Sequence, residues 1–590
     1  MEITMKLIRL YAYFFFTFIF LSGCSSTPKF IETEPPIDFQ FVTVKEGDTF
    51  PSLAEKYNGS AAYSWRIEEF NNSNQLKPGQ ELIIPLKPFI PGGLTAQGYQ
   101  LIPVLSYHNF SKGRSHNKLT ISVKNFRKQL NYLKNNGYHV ITMVQLVEFI
   151  NFGQVPEKSV LISIDDGWIS SYEIAYPILR EFGFNATLFI PTQYIDSGNK
   201  KAVNWSQIKE MLSDNTIDIQ CHGKAHRDLS TRKENESFSQ YIQAVEKDIS
   251  NSRQNIYDKL GIQVSALAYP FGRSNPLVME MLKKQGYKIA FTVKRNGIPF
   301  YKQRFLLNRS MIYGSMSINK FAENLKHFAS FPVAEPEPID TLPSLASLAL
   351  EAPEKYEHKK QWRTARMIWK LRRDALLSQR QTLAVTSPDS SSKLRSLKKS
   401  IEAAQYKVLY ITYKLNDIAK QHYLAATNTI SNDQAKKLLL QALLDNPEYQ
   451  SPIDHFQSNM GKLKPLTYVV KENDSFASIA RQLYKDPKKA ILIPLFNHNV
   501  SNESELIPGI KLSLPAAPVN VKKASQAGSK RCSISLTKSS RQMADDYYTK
   551  ALENFNHDQI SQAIESLKTA ICLNPKHSKA VEMLNMLKDL

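Results

Sequence analysis

The sequence predicts a multidomain chain of mixed α/β and α class, and three observations lead there. At 590 residues the chain is too long for one hydrophobic core. Between residues 101 and 330, short apolar runs alternate with amphipathic stretches, the pattern of a parallel sheet or barrel covered by helices. Two segments near the ends of the chain repeat each other, and much of what separates the α/β region from the second copy has helical periodicity. A composition of 42% hydrophobic and 11% aromatic residues belongs to a folded chain.

Taken in order, residues 1–23 read as a signal sequence. Lys6 and Arg9 precede the apolar run "YAYFFFTFIFL", which is too short to span a bilayer comfortably. The run ends in "LSGC", which resembles the lipobox of bacterial lipoproteins. That resemblance implies lipid on Cys24 and anchoring in a membrane; with Ser25 and Ser26 following, it implies the periplasmic face of the outer membrane. Cys221, Cys532 and Cys572 are too sparse for a disulfide framework. In an exported chain a formal charge of +21 points to anionic envelope polymers and lipid head groups, and no nucleic acid is expected as a partner.

"VKEGDTFPSLAEKY" at 44–57 matches "VKENDSFASIARQL" at 470–483, and both copies continue to Phe-Asn, Pro-Gly and an apolar-Pro pair. Each reads strand, helix, helix, strand, with Asn473 replacing Gly47 at a turn where positive φ is expected. The segments 41–88 and 466–516 resemble LysM modules, which implies binding to N-acetylglucosamine glycans such as peptidoglycan. Two linked weak sites gain by effective concentration.

The Pro-rich segment 331–354 reads as a linker, and 355–450 as helical. In that region Leu394, Leu397, Ile401, Ala404, Val408, Ile411, Leu415 and Ile418 recur at spacings of three and four, the seam of a bundle. "AKKLLLQALLDNPEY" and "AIESLKTAICLNPKH" share Ala-apolar-x-x-Asn-Pro, and the second, within 541–590, resembles a tetratricopeptide unit; the region 355–450 fits that repeat loosely. Contacts with envelope proteins are the implied role. Residues 517–540, polar and basic, read as a second linker.

The chemistry gathers at strand ends in 101–330. Asp165 and Asp166 end the run "VLISIDDG", His222 and His226 follow "IDIQC", and "AYPFG" at 268–272 ends another run. Adjacent carboxylates repel unless a cation relieves them, and two histidines four apart can share one metal with a carboxylate. Two imidazoles and one aspartate favour zinc among divalent metals, with the second aspartate left as a base.

"PVLSYH", "SIDDG", "NWSQIKEM", "CHGKAHRDL", "AYPFG" and the closing "LNRSMIY" resemble the polysaccharide deacetylases of carbohydrate esterase family 4, in the branch that acts on poly-N-acetylglucosamine exopolysaccharides. The resemblance implies a deformed (β/α) barrel. It implies that Asp165 is the general base, that Asp166, His222 and His226 hold the metal, and that a backbone N–H near Phe271 stabilises the oxyanion. His108 of the Tyr-His pair is implied as the acid, or else as a strand-end histidine held by a hydrogen bond. Tyr107, Trp168 and Tyr269 are the aromatic candidates for a sugar site, Tyr107 and Trp168 equally readable as core.

Two departures stand out. Ala268 occupies the position of the family's arginine, with Arg273 or Lys224 as possible substitutes. The leucine-x-histidine motif is absent from its usual place, and "LKH" at 325–327 reads as a chance match. The expected function is metal-dependent N-deacetylation of a poly-N-acetylglucosamine-type polymer. The alternatives are a peptidoglycan N-deacetylase and an inactive glycan-binding scaffold.

Overall fold

The computed structural model describes residues 37–515 except 114–116, 341–344, 388, 459–464, 498 and 501, together with 543–551 and 560–584 except 575, 576, 579, 582 and 583. The signal sequence, Cys24 and the basic segment 517–540 lie outside the described residues, as does part of 541–590.

The first repeat folds as strand β1 (Phe39–Thr43), helices α1 (Phe50–Asn58) and α2 (Ser64–Asn71), and strand β2 (Glu81–Pro85), with the strands antiparallel. A capping box formed by Thr49 and Ser52 starts α1, satisfying N–H groups that the first turn leaves free. Asn71 fastens α2 to the sheet: its side chain donates to the carbonyls of Ile67 and Ile83 and accepts from the N–H of Ile83 at 3.0 Å.

The α/β region forms an eight-stranded parallel sheet: β3 (Val104–Tyr107), β4 (His139–Val140), β5 (Ser159–Asp165), β6 (Ala186–Ile190), β7 (Ile217–Cys221), β8 (Ala266–Ala268), β9 (Ile289–Phe291) and β10 (Ser310–Met311). The order is β9-β8-β7-β6-β5-β3-β10, with β4 pairing β5. Leu307 bridges Phe291 of β9 while Ser310 and Met311 pair with Leu105 and Ser106 of β3, so one short run meets both edges and closes a deformed barrel. Alternation sorts the side chains. Val104, Leu161, Phe189, Ala268, Phe291 and Leu307 share one buried cluster, whereas Leu105, Ile162, Leu188, Ile219 and Leu267 belong to another with the covering helices. Those helices include α3 (Thr192–Asp196), α4 (Phe238–Leu260) and α5 (Pro276–Lys284).

Three helices follow, α6 (Trp362–Thr386), α7 (Ser391–Thr427) and α8 (Asn432–Asp445). Ile401, Ala404, Val408, Ile411 and Leu415 of α7 are buried as the seam requires, while Leu394, Leu397 and Ile418 are only partly buried. The Pro-rich segment is not a free linker over its described residues, which corrects the sequence reading. Val333 is fully buried, and Glu337 and Asp340 pair with the buried guanidinium of Arg363 at 3.3 and 3.0 Å.

The second repeat consists of β11 (Pro465–Val469), α9 (Phe476–Tyr484), α10 (Leu492–Phe496) and β12 (Lys511–Pro515). It reproduces the first down to its polar contacts. Asn497 donates to Ile493 and Ser513 and accepts from the N–H of Ser513, a Ser475–Ser478 capping box starts α9, and Asn473 stands at φ 64° where Gly47 stands at 88°. Helix α11 (Ile560–Leu573) packs Leu567 and Ala570 against Ala551, Ala580 and Leu584.

Both repeats are seated on their neighbours. The N–H groups of Asp38 and Phe39 donate to the buried carboxylate of Asp374 on α6, and Arg373 bonds both Asp38 and Asp374. On the barrel side, the hydroxyl of Tyr63 donates to Glu148, and Glu69 accepts from the N–H of Glu157 at 2.9 Å. Ala480, Tyr484, Leu492 and Leu495 of the second repeat join the cluster that contains the residues of α4 and α5. The ammonium of Lys436 on α8 lies 4.6–5.2 Å from the rings of Tyr99, Tyr301 and Phe331, a cation–π clamp between helices and barrel.

Candidate active site

The site lies at the C-terminal ends of the barrel strands, where (β/α) barrels carry their chemistry. Asp165 ends β5, and the chain then turns through two left-handed residues, Asp166 at φ 74° and Gly167 at 66°. His226 at 51° and Phe271 at 60° share this conformation, so three non-glycine site residues occupy a region that costs an L-residue about 1–2 kcal/mol. Such strain persists where surrounding structure enforces it.

The carboxylate of Asp166 meets both imidazoles. Its Oδ1 lies 3.5 Å from Nε2 of His222 and 3.4 Å from Nε2 of His226, and the three ligand-capable atoms all fall within 4.8 Å of one another. Two donors each about 2.1 Å from a tetrahedral zinc would be separated by about 3.4 Å, so the donor set fits a divalent cation. The supporting bonds orient it. Nδ1 of His222 lies 2.7 Å from the carbonyl of Ala268, which places the proton there and leaves Nε2 as the ligand, and the indole of Trp168 donates to Oδ2 of Asp166 at 3.0 Å. Burial opposes ionisation of Asp166, but the two imidazoles outweigh it and hold its carboxyl far below the usual range.

Asp248, buried on α4, holds the histidine loop in place. Its two carboxylate oxygens accept the N–H groups of Lys224 and Ala225 at 2.8 and 3.1 Å. A Cβ on Gly223, at φ 77°, would come within 2.7 Å of Asp248, so the loop needs glycine to approach so closely. Asp248→Ala removes both side-chain acceptors from the part-buried N–H groups of Lys224 and Ala225, loosens the histidine loop and is expected to lower metal affinity by about 10–100-fold, checked by zinc titration of the purified full chain, with Asp248→Glu and Asp248→Asn as comparisons.

Asp165 stands beside this cluster with its own partner. Nη1 of Arg309 donates to its Oδ1 at 2.7 Å, with both side chains almost completely buried, and Ser106 reaches Oδ2 at 3.4 Å. Burial alone would raise the Asp165 carboxyl; the guanidinium reverses the shift and keeps it ionised. Nε2 of His108 lies 3.9 Å from Oδ2 of Asp165, and burial holds its imidazole below the ordinary value against the pull of the neighbouring carboxylates.

Several sequence expectations are corrected here. Arg273 and Lys224 do not replace the missing arginine: Arg273 pairs Asp228 at 3.1 Å, and the guanidinium that reaches Asp165 is that of Arg309. It enters from the barrel-closing run and lies 5.4 and 5.8 Å from the rings of Phe189 and Phe291, in the interior that Ala268 also faces. Tyr107 and Tyr269 are fully buried, with hydroxyls donating to Gln129 and to the carbonyl of Phe305, and offer no ring face to a sugar. Trp168, partly buried, is engaged with Asp166. His327 of "LKH" packs edge-on to Tyr138, and its carbonyl bonds Leu101, ahead of the start of β3 and so at the other end of the barrel. Arg309, Asp248 and Tyr194, the last 6.1 Å ring to ring from His226, escaped the sequence reading. "LNRSMIY" contained the only available signal, and it lies 144 residues from Asp165.

Residues 152–290 match the Polysaccharide deacetylase family, and residues 42–85 match the LysM domain. The poly-beta-1,6-N-acetyl-D-glucosamine N-deacetylase of Staphylococcus aureus is 24% identical over 206 residues, covering 34% of this chain and 71% of that protein. Two solved structures are similar: the Streptococcus pyogenes deacetylase PplD in complex with acetate (24% identity, TM-score 0.35, 39% of this chain and 99% of that one), and IcaB from Ammonifex degensii (23% identity, TM-score 0.34, 39% and 98%). With that barrel and those family matches, the chain carries an enzymatic polysaccharide deacetylase domain together with a LysM domain.

Proposed function

We propose that the chain hydrolyses N-acetyl groups from an N-acetylglucosamine polymer of the poly-β-1,6 exopolysaccharide type at the cell envelope. The observation that carries this reading is the Asp166–His222–His226 donor set beside an independently paired, ionised Asp165. The name of the Staphylococcus aureus relative supports the choice of polymer.

Asp166, His222 and His226 would hold a divalent cation, zinc by the chemistry of the donors, which when bound would supply Lewis acidity to the acetamide carbonyl and to water. Asp165 takes the proton of the attacking water. His108 acts as the acid that protonates the amine as the C–N bond breaks, and it regains its proton from Asp165 through a bridging water, since the 3.9 Å between them exceeds a direct hydrogen bond. The backbone N–H of Phe271 donates to the developing oxyanion. Acetate and a free sugar amine result.

The two LysM-like modules hold glycan beside the barrel, lipid on Cys24 tethers the chain to the membrane, and the helical repeats, tetratricopeptide-like at 541–590, contact envelope proteins. The same pair of modules favours peptidoglycan as a second reading of the substrate. The inactive-scaffold reading rested on Ala268, and Arg309 removes that support.

Metal content and acetate release from poly-β-1,6-N-acetylglucosamine and from peptidoglycan test this on the purified full chain. About one metal per chain is expected, with activity lost to chelation, restored by zinc and greater on the exopolymer. A metal-free, inactive chain that still sediments with cell walls would establish the scaffold instead.

A further inference from the structure

Helix α7 carries two apolar faces, and packing within the chain uses one of them. Ala404, Val408, Ile411 and Leu415 share a buried cluster with Ile368 and Leu371 of α6. On the opposite side Tyr406, Leu409, Tyr410 and Tyr413 recur at the spacings that align side chains along one helical stripe, and all four are exposed, Tyr406 to 68% and Tyr413 to 75%. The rings of Tyr406 and Tyr410 lie nearly parallel at 6.4 Å, so they shield each other and little else. A contiguous apolar stripe facing water gains nothing for folding and marks a surface that meets something.

Charge and position indicate what it meets. The helix holds seven basic residues against two acidic ones, Glu402 and Asp417. Lys399, Tyr406, Tyr413 and Lys420 stand seven apart, so an exposed lysine closes each end of the tyrosine stripe, and Arg395, also exposed, extends the same side. The stripe adjoins the place where the described chain begins. Arg373 of α6 bonds Asp38 with one guanidinium nitrogen and donates with another to Gln405, the neighbour of Tyr406, both at 3.0 Å. Asp38 comes fourteen residues after Cys24, which is at most about 50 Å of extended chain.

We infer that this face of α7 lies on an anionic lipid surface, with Tyr406, Leu409, Tyr410 and Tyr413 entering the head-group layer and Arg395, Lys399 and Lys420 meeting its phosphates. Tyrosine suits that layer because its ring is apolar and its hydroxyl is wet, and basic residues around an apolar stripe add attraction to anionic lipid. No helix among the described residues is long and apolar enough to cross a membrane, so α7 lies along the surface. A second copy of the chain would set the same excess of basic residues against itself, and a neutral glycan has no use for it. This inference rests on reading Cys24 as lipid-bearing, and it adds a second, protein-borne contact that orients the tethered chain.

The test is cosedimentation of the full exported chain, made with Cys24→Ser so that it bears no lipid, with vesicles of phosphatidylcholine and phosphatidylglycerol in equal parts and with vesicles of phosphatidylcholine alone. Binding to the mixed vesicles is expected to be about tenfold tighter, and to weaken as salt rises from about 0.1 M to about 1 M and shortens the screening length from about 10 Å to about 3 Å. Tyr406→Ser, Tyr410→Ser and Tyr413→Ser together are expected to lower that binding about tenfold, while tryptophan at the same three places retains it. Acetate release from a soluble N-acetylglucosamine oligomer stays unchanged in both variants, which shows them folded. Mixed vesicles bound no better than phosphatidylcholine, or bound equally by the serine variant, overturn the inference. So does a dimer, or a grip on N-acetylglucosamine polymer, that the serine variant loses in place of vesicle binding. The mass of chain extracted from cells reads the anchor separately: lipid on Cys24 without vesicle binding by the unlipidated chain overturns the inference and keeps the anchor, and vesicle binding without that lipid does the reverse.

Discussion

Asp165→Asn keeps its metal and loses about 10²–10⁴ of its turnover, the range that a positioned general base supplies. The substitution is close to isosteric, and its amide oxygen can still accept the hydrogen bond that Arg309 now gives at 2.7 Å. Asp166, His222 and His226 are untouched, so metal content stays at the level of the unaltered chain. Proton acceptance is what disappears. Single-turnover acetate release together with metal analysis checks this, and undiminished turnover at full metal occupancy would assign the base elsewhere.

Arg309→Met has the largest expected effect on the fold. Its guanidinium is buried against a buried carboxylate, and removing one partner of such a pair leaves the other uncompensated, at about 3–5 kcal/mol. The same change takes away the donor that orients Asp165, so turnover falls with stability. Arg309→Lys separates the two effects, because an ammonium keeps the charge but not the planar fork. It is expected to recover most of the stability and only part of the turnover, measured by chemical denaturation and acetate release side by side. Full activity in the methionine variant would show that Asp165 needs no partner.

Much of the architecture was legible because it is written in local pattern. The alternating runs of 101–330 gave the parallel sheet, and the strand ends named Asp165, Asp166, His222 and His226 because carboxylates and imidazoles there have few structural uses. The internal repeat was readable to single residues, as Asn473 in its left-handed turn shows. What escaped was non-local. The run "LNRSMIY" marks the segment around Arg309 without saying that the guanidinium faces Asp165, since the contact depends on how the barrel closes. Tyr269 was a candidate for the sugar site and Tyr107 was readable either so or as core, because strand-end position alone does not fix which way a ring points; both rings are buried. The Pro-rich segment 331–354 lacked periodicity, yet its carboxylates are held by Arg363, whose own pattern lies in a distant helix.

The run that seals the barrel between β9 and β3 is also the run that delivers Arg309. A gate and its key are thus forged from one piece of chain. If that seam springs open, the proton acceptor loses its counter-charge at once, so warming should silence hydrolysis as soon as the cylinder gapes, even while the two terminal repeats stay folded.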